Sequence, residues 1–372
     1  MSALPLILAM ALAGQAPDPG LDAFCLKIEE SLRNADPAPL DRALDVEALL
    51  DRAVRGLAGD AKSLEGFRAG VRKGFSYGPA LVRQLGKEGR VKFLRVRRVG
   101  TERRALFRTL LGEQFSYQEF LLDPRPGGEL RIADIYVFLT AEWLSENLRR
   151  SYLSVLAAEP GALEKALGGE NEYAKSMPRI QELSKLAREG KHEEVLKGWD
   201  GLPAAAKKDK SLLVLRCTSA ARVGAEEALR ALEDLRKAVP GDPCIPILSI
   251  GPLTDAGKHA EALRAVDDLD RDLGGDPFLH VLRSWIHSAA GDAERARASA
   301  RKAIEGDRTL AIAYWTAVNL SLEARRFGET ANLLSELEKN AGIRVDELRG
   351  EQFAEFLKSP EHEAWRKGKG KP

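Results

Sequence analysis

The sequence predicts two unlike halves, an α+β domain followed by an all-α superhelical array of stacked helix pairs. Three observations carry that reading. Between Met177 and Gly342 apolar positions recur about every 34 residues, with helical spacing inside each period. Between Val91 and Thr140 the spacing drops to two, the period of strands. Pro160-Gly161 and Gly168-Gly169 fall between these regimes, where a joint belongs.

Taken in order, residues 1–20 read as a signal peptide and leader. Met1 to Ala13 is apolar yet too short to span a bilayer, and Ala11-Leu12-Ala13 supplies the small-x-small pattern of a cleavage site. No Lys or Arg precedes Lys27, so the basic start of such signals is missing. The expectation is export, periplasmic or secreted, with a mature chain starting near Gly14; a cytoplasmic protein is the alternative. No cysteine directly follows the run, which argues against a lipid anchor.

Residues 21–142 read as the α+β domain. Leu21 to Asn34 is amphipathic, with Phe24, Leu26, Ile28 and Leu32 on its apolar side, and further helices are expected over Asp41–Leu57, Leu64–Phe75 and Pro79–Leu85. Four strands follow, Val91–Val99, Glu102–Leu111, Phe115–Leu122 and Leu130–Thr140, with Gly100-Thr101 as a hairpin-sized turn. Short links make the sheet antiparallel, and the helices must cover one face. This order of elements, with Phe93, Phe107, Phe115, Tyr117, Phe120, Tyr136 and Phe138 in the sheet, resembles the nuclear-transport-factor-2-like (NTF2-like) superfamily. That resemblance implies a curved, cone-shaped sheet, serving either as an enzyme's pocket or as a pocketless association module.

A connecting helix, Trp143 to Ala158, and a linker fill residues 143–176. The repeats occupy residues 177–342. Val195, Ala228, Ala262, Ala296 and Thr330 stand 33, 34, 34 and 34 residues apart. Four residues beyond each lie Trp199, Leu232, Val266, Ala300 and Leu334, and seven beyond lie Leu202, Leu235, Leu269, Ala303 and Leu337. Each triplet is one face of a helix, preceded by a turn and a second apolar helix. Such a unit cannot bury its faces alone, so neighbours must stack.

These residues resemble the tetratricopeptide repeats. Gly257-Lys258-His259 followed by Ala262, Val266 and Leu269, and Gly291-Asp292 followed by Ala296, Ala300 and Ala303, carry the likeness, with small Cys217 and Ser284 where first helices of the family pack closely. The closing proline is clear only as Pro240, and Pro252 should bend or shorten the first helix of the third unit. Residues 343–366, with Leu348, Phe353, Phe356, Leu357 and Trp365, are expected to be helices capping the open end, and 367–372 a disordered tail.

Chemistry is sparse. Formal net charge is +1, so neither nucleic acid nor a membrane surface is indicated as a partner. The basic stretch from Arg83 to Arg108 and the acidic one from Glu226 to Asp276 read as solvated faces. Cys25, Cys217 and Cys244 form no CxxC and read as buried thiols, although an oxidising compartment would permit a Cys217–Cys244 bridge. His192, His259, His280, His287 and His362 show no metal-ligand spacing, and no phosphate loop occurs, so no metal or cofactor is expected. Asp134, or Glu119 with Tyr117 or Tyr136, is the one candidate for acid-base work; a deep polar cavity around Asp134 would favour catalysis, and a filled interior an association module.

The tetratricopeptide resemblance implies that the first helices line a concave groove which holds a partner protein or peptide. Family positions fall on Ile180, Ser184, Arg188, Val214, Thr218, Arg222, Ile247, Phe278, Val281, Trp285, Ile312, Trp315, Asn319 and Glu323. The family's carboxylate-clamp members use Lys and Asn here; only Asn319 matches, so chaperone-tail recognition is not expected. An apolar groove with two tryptophans is. The expected function is a non-enzymatic interaction scaffold; the competing one is a small-molecule-binding or catalytic sheet domain with the array as its docking arm.

Overall fold

The computed structural model describes residues 19–57, 61–157, 161–167 and 176–369. The expected signal, its cleavage site and the Gly168-Gly169 joint lie outside them. The chain divides into two compact units, one built on described residues up to Arg55, 62–136 and 143–146, the other on most of the remainder.

In the first unit, helices α1 (Pro19–Arg33), α2 (Ala38–Ala43), α3 (Val46–Val54), α4 (Ala61–Gly74) and α5 (Gly78–Leu85) precede the sheet. The face α1 buries is Leu21, Cys25, Ile28 and Leu32, whereas Leu26 is 52% exposed, a shift from the expected apolar side. The single helix expected over 41–57 is broken at Leu44, which adopts extended geometry and bridges Ile132. Asp45 then caps α3, its carboxylate accepting the Ala48 N–H at 3.0 Å.

The sheet has five strands rather than four, in the order β1 (Arg90–Val99), β2 (Glu102–Leu111), β3 (Gln114–Pro124), β4 (Leu130–Val137) and β5 (Glu142–Trp143). β4 stops three residues short of Thr140, and Ala141, at φ 55°, turns the chain into the short β5. The β1–β2 register slips between Phe93 and Arg95. At that bulge the buried Glu29 accepts the Phe93 N–H at 2.8 Å, tying α1 to the sheet. Phe107 stacks on Phe120 at 4.4 Å and tilts against Phe93 at 5.4 Å, filling the interior.

Helices α6 (Leu144–Leu156) and α7 (Ala162–Leu167) follow, and the second unit then runs as five helix pairs: α8 (Met177–Arg188) with α9 (His192–Asp200), α10 (Lys210–Val223) with α11 (Ala225–Ala238), α12 (Cys244–Asp255) with α13 (His259–Leu273), α14 (Phe278–Ala289) with α15 (Ala293–Gly306), and α16 (Ala311–Glu323) with α17 (Phe327–Ala341). All fifteen positions of the repeating stripe are buried, none above 6% exposed. The turns show why the phase holds. Gly190, Gly257 and Gly291 take left-handed φ of 75°, 70° and 74°, and Arg325 takes 54° at the same place. The next amide donates back across the turn each time: Lys191 to Leu186, Lys258 to Leu253, Asp292 to His287 and Arg326 to Ser321, at 2.8–3.0 Å. The second pair lacks this residue. There Gly224 alone, extended at φ 168°, separates the helices, which accounts for the 33-residue interval.

Pro252 does not shorten α12, which continues to Asp255 and equals α8 and α14 in length at 12 residues. Only the Leu248 carbonyl forfeits its ladder donor. Beyond α17 the capping segment differs from expectation. Residues 351–353 and 356–358 form two short 3₁₀ turns, and one helix, α18 (Pro360–Lys369), extends into the tail expected to be disordered. Phe353 and Phe356 are buried, and Phe356 packs on Phe327 of α17 at 5.9 Å, so the segment covers the last pair.

Candidate functional site in the first two helix pairs

An open groove of about 650 Å³ lies along the first two pairs, lined by Ser184, Ala187 and Arg188 of α8, His192 of α9, and Leu215, Thr218, Ser219 and Arg222 of α10. Local sequence sets its shape. Gly198 of α9 lets the first pair close tightly, because a Cβ there would stand 2.3 Å from the buried Leu183 Cδ2. Asp209 starts α10 by accepting the Leu212 N–H at 3.2 Å, and Lys210 reaches Asp242 at 3.2 Å to fix the second pair on the third.

The groove's polar groups are unevenly satisfied. Ser184 Oγ donates to the Ile180 carbonyl at 2.9 Å and Thr218 Oγ1 to that of Leu215 at 3.0 Å. Ser219 Oγ, on a residue 1% exposed, and the buried His192 Nδ1 have no hydrogen-bond partner among the described residues. Arg188 and Arg222 are exposed, no Asp or Glu lines the groove, and neither guanidinium is ion-paired among the described residues. Glu189 is engaged elsewhere: Lys191 at 2.9 Å, with Lys185 and Arg188 adding their fields, holds its carboxyl below the usual range. Across the same two pairs the charges are compensated, Arg216 pairing with Asp234 and Arg230 with Glu227.

Of the positions the resemblance supplied, this groove gathers Ser184, Arg188, Thr218 and Arg222. Ile180, Val214, Ile247, Phe278 and Val281 are instead core residues, none above 7% exposed, because those helix faces meet neighbouring helices. Trp285 is half-buried; its ring meets Phe278 edge-on at 6.3 Å and its Nε1–H donates to Thr316 Oγ1 at 3.1 Å, so it braces α14 against α16. Ile312 and Trp315 are half-buried, and Asn319 and Glu323 exposed. Of the two tryptophans expected in the groove, both are half-buried, and Trp285 is engaged with α16. Sequence reasoning missed His192, Leu215 and Ser219. The readable signal was the recurrence of arginine at one repeat's spacing, Arg188 then Arg222.

Asp134, the candidate for acid-base work, is tied into a hydrogen-bond network. It is fully buried and accepts from Ser145 Oγ at 2.5 Å, the Ser145 and Ile135 amides at 3.2 and 2.9 Å, and Arg52 Nε at 2.9 Å. Burial pushes its pKa up, and those hydrogen bonds and the Arg52 charge pull against it. Glu119 is likewise taken, by Arg97 and Arg104, and the Arg52 and Arg104 guanidiniums lie over the Trp143 ring at 5.5 and 5.0 Å. Both carboxylates are structural ties as they stand. His280 and His287 lie on α14 with pKa values lowered chiefly by burial. The three cysteines are free and buried, Cys217 and Cys244 included, so no bridge joins the second and third pairs. No described helix is long and apolar enough to cross a membrane.

Paired helices at a 34-residue period, one buried stripe per unit and a recurrent left-handed turn define the carboxyl-terminal half as a tetratricopeptide-like array. No family model and no curated protein matches the chain. Among solved structures, MamA from Desulfovibrio magneticus RS-1 is similar at 14% identity over 45% of this chain and 94% of its own, with a TM-score of 0.38. A thermophilic TPR protein of Thermus thermophilus is similar at 15% identity over 49% and 97%, with a TM-score of 0.34. A tetratricopeptide repeat protein from Parabacteroides merdae is similar at 16% identity over 57% and 84%, with a TM-score of 0.36.

Proposed function

We propose that this chain is a non-enzymatic scaffold whose helical array seats a segment of a partner protein. The observation that carries the reading is the groove of the first two pairs, where Ser184, Arg188, Thr218 and Arg222 are gathered and neither arginine is ion-paired among the described residues. Across the same two pairs, Arg216 and Arg230 are met by Asp234 and Glu227. Trp315, Asn319 and Glu323 extend the binding face at the other end. The amino-terminal unit fits a pocketless NTF2-like module, since aromatic side chains fill it and its buried carboxylates are tied. Export, with domains near 21–142 and 177–342 joined through 143–176, completes the reading; amino-terminal sequencing of native material tests it, an intact Met1 or Ser2 start refuting it.

The function is tested by affinity purification of the full chain from its own cell-envelope extract, read by mass spectrometry. Trp315→Ala and the double variant Arg188→Ala/Arg222→Ala should each reduce recovery of one specific protein at unchanged helical content. Recovery unchanged in both, with Arg230→Ala on the compensated face reducing it instead, would place binding elsewhere.

A further inference from the structure

We infer that the array is jointed between its third and fourth pairs, the last two pairs swinging as one block about the contact of α13 with α14 and so opening or closing the row of first helices. The joint belongs to the free chain and goes beyond the scaffold reading. Four features converge on it.

First helices pack on one another along a row, α8 on α10, α10 on α12, and α14 on α16. Between α12 and α14 that row thins, and the third pair meets the fourth through its second helix, α13 on α14. The side chains of α12 agree with this. Ser184, Thr218, Gly251, Trp285 and Asn319 stand 34, 33, 34 and 34 residues apart, one on each first helix, so α12 alone presents no side chain at that place. A Cβ at Gly251 would have nothing within 4 Å, and its φ is not left-handed, so neither crowding nor backbone geometry demands a glycine. Pro252 follows directly and takes one donor out of the same helix's ladder, the combination at which helices bend most readily.

The connector adds freedom at the same junction. α13 ends in Gly274-Gly275, left-handed at φ 75° and 98°, before Pro277 leads into α14. The second pair instead reaches the third through Pro240, Gly241 and Pro243, and the fourth reaches the fifth through residues 307–310, which hold no glycine. Adjacent glycines leave the backbone its widest choice of conformation, whereas proline fixes φ.

Polar ties fall on either side of the break. Lys210 with Asp242 and Arg236 with Ser249, each at 3.2 Å, fasten the third pair to the second. Arg283 of α14, meeting Asp267 and Asp270 of α13 at 2.8 Å, clasps the fourth pair to the third. A joint clasped at the second helix and bare along the first gapes on the side of the first helices. Arg188 and Arg222 lie on one block and Trp315 on the other, so the bend sets the span between them.

The test measures distances in the full chain by double electron–electron resonance, with nitroxides on cysteines introduced at exposed positions; the native thiols are buried. Glu226→Cys with Lys302→Cys spans the joint, while Glu193→Cys with Glu226→Cys, and Lys302→Cys with Glu336→Cys, each stay within one block. The spanning pair should give a broad distance distribution and the other two narrow ones. Arg283→Ala should broaden the spanning distribution further at unchanged helical content and leave the others as they were. Arg230→Ala, whose pairs stay within α11, should alter none of the three. Should the Arg283 variant lose helix, raising salt on the unaltered chain loosens the same clasp, since Asp267 is 59% exposed, and should broaden the spanning pair alone. A spanning distribution as narrow as the others overturns the inference, and so do three equally broad ones, the behaviour of a uniform spring. A spanning distribution indifferent both to Arg283→Ala and to salt overturns it as well. The measurement needs no partner, so its failure leaves the scaffold reading to its own test of partner recovery.

Discussion

Replacing Asp134 by asparagine should destabilise the sheet unit by about 3 kcal/mol. Oδ1 of the carboxylate holds the Ile135 and Ser145 amides, and Oδ2 holds Arg52 Nε and Ser145 Oγ. An asparagine can keep its oxygen toward the two amides only by turning its NH₂ toward Arg52 and Ser145. The serine hydroxyl can rotate and accept; the guanidinium cannot. Removing one partner of a buried ion pair costs roughly 3–5 kcal/mol, and the lower figure applies because the Arg52 side chain is 29% exposed and stays over Trp143. Native-state hydrogen exchange of β2 and β3 reads the effect in this unit alone, free of the array's own unfolding. About 3 kcal/mol appears as amides exchanging roughly a hundredfold faster. Unchanged or slower exchange would refute the reasoning, since a carboxylate held for chemistry at the expense of stability gives that result.

Other perturbations test the array. Arg325→Gly should stabilise by about 0.5–1 kcal/mol, the left-handed strain outweighing glycine's entropy and an exposed pair with Glu355, while Gly257→Ala at the matching turn should destabilise by a similar amount; opposite shifts in melting temperature are the check. Burial pushes the Cys25 and Cys217 thiols up to about 12 from the ordinary 9.0, so neither should react with iodoacetamide at pH 8 until denaturant is added. Because the folded pKa is the higher one, the stability these thiols contribute is complete below pH 9 and lost toward pH 12; Cys25→Ser/Cys217→Ser should flatten the fall in urea midpoint over that window. Trp285→Phe should cost about 1 kcal/mol in chemical denaturation through the bond to Thr316, a near-zero change showing that the strut is idle.

Most of the array was legible because a helix face is a local, periodic property, and Val195 through Leu337 needed only counting. Its groove was legible in part. Family positions describe a face in the abstract, while Phe278 and Val281 sit where the next helix lands, and no one-dimensional pattern records that encounter. Ser219 resembles any helix serine until its hydroxyl is found enclosed. In the sheet unit, Leu44 follows the helical pattern of its neighbours, yet its pairing with Ile132, 88 positions away in sequence, draws it into extended geometry. β5 was missed because two residues carry no period at all.

The helices of the array pack mainly on their neighbours in sequence, each pair on the next, with the capping segment on α16 and α17. Such an object has no single core to rupture. Drawn from its carboxyl end, it should come apart as a zipper does, one pair after another, each release of 34 residues lengthening the tether by up to roughly 115 Å. The last pair to yield would be the one carrying Arg188, so a load that strips the cap and the Trp315 end leaves the basic groove for last.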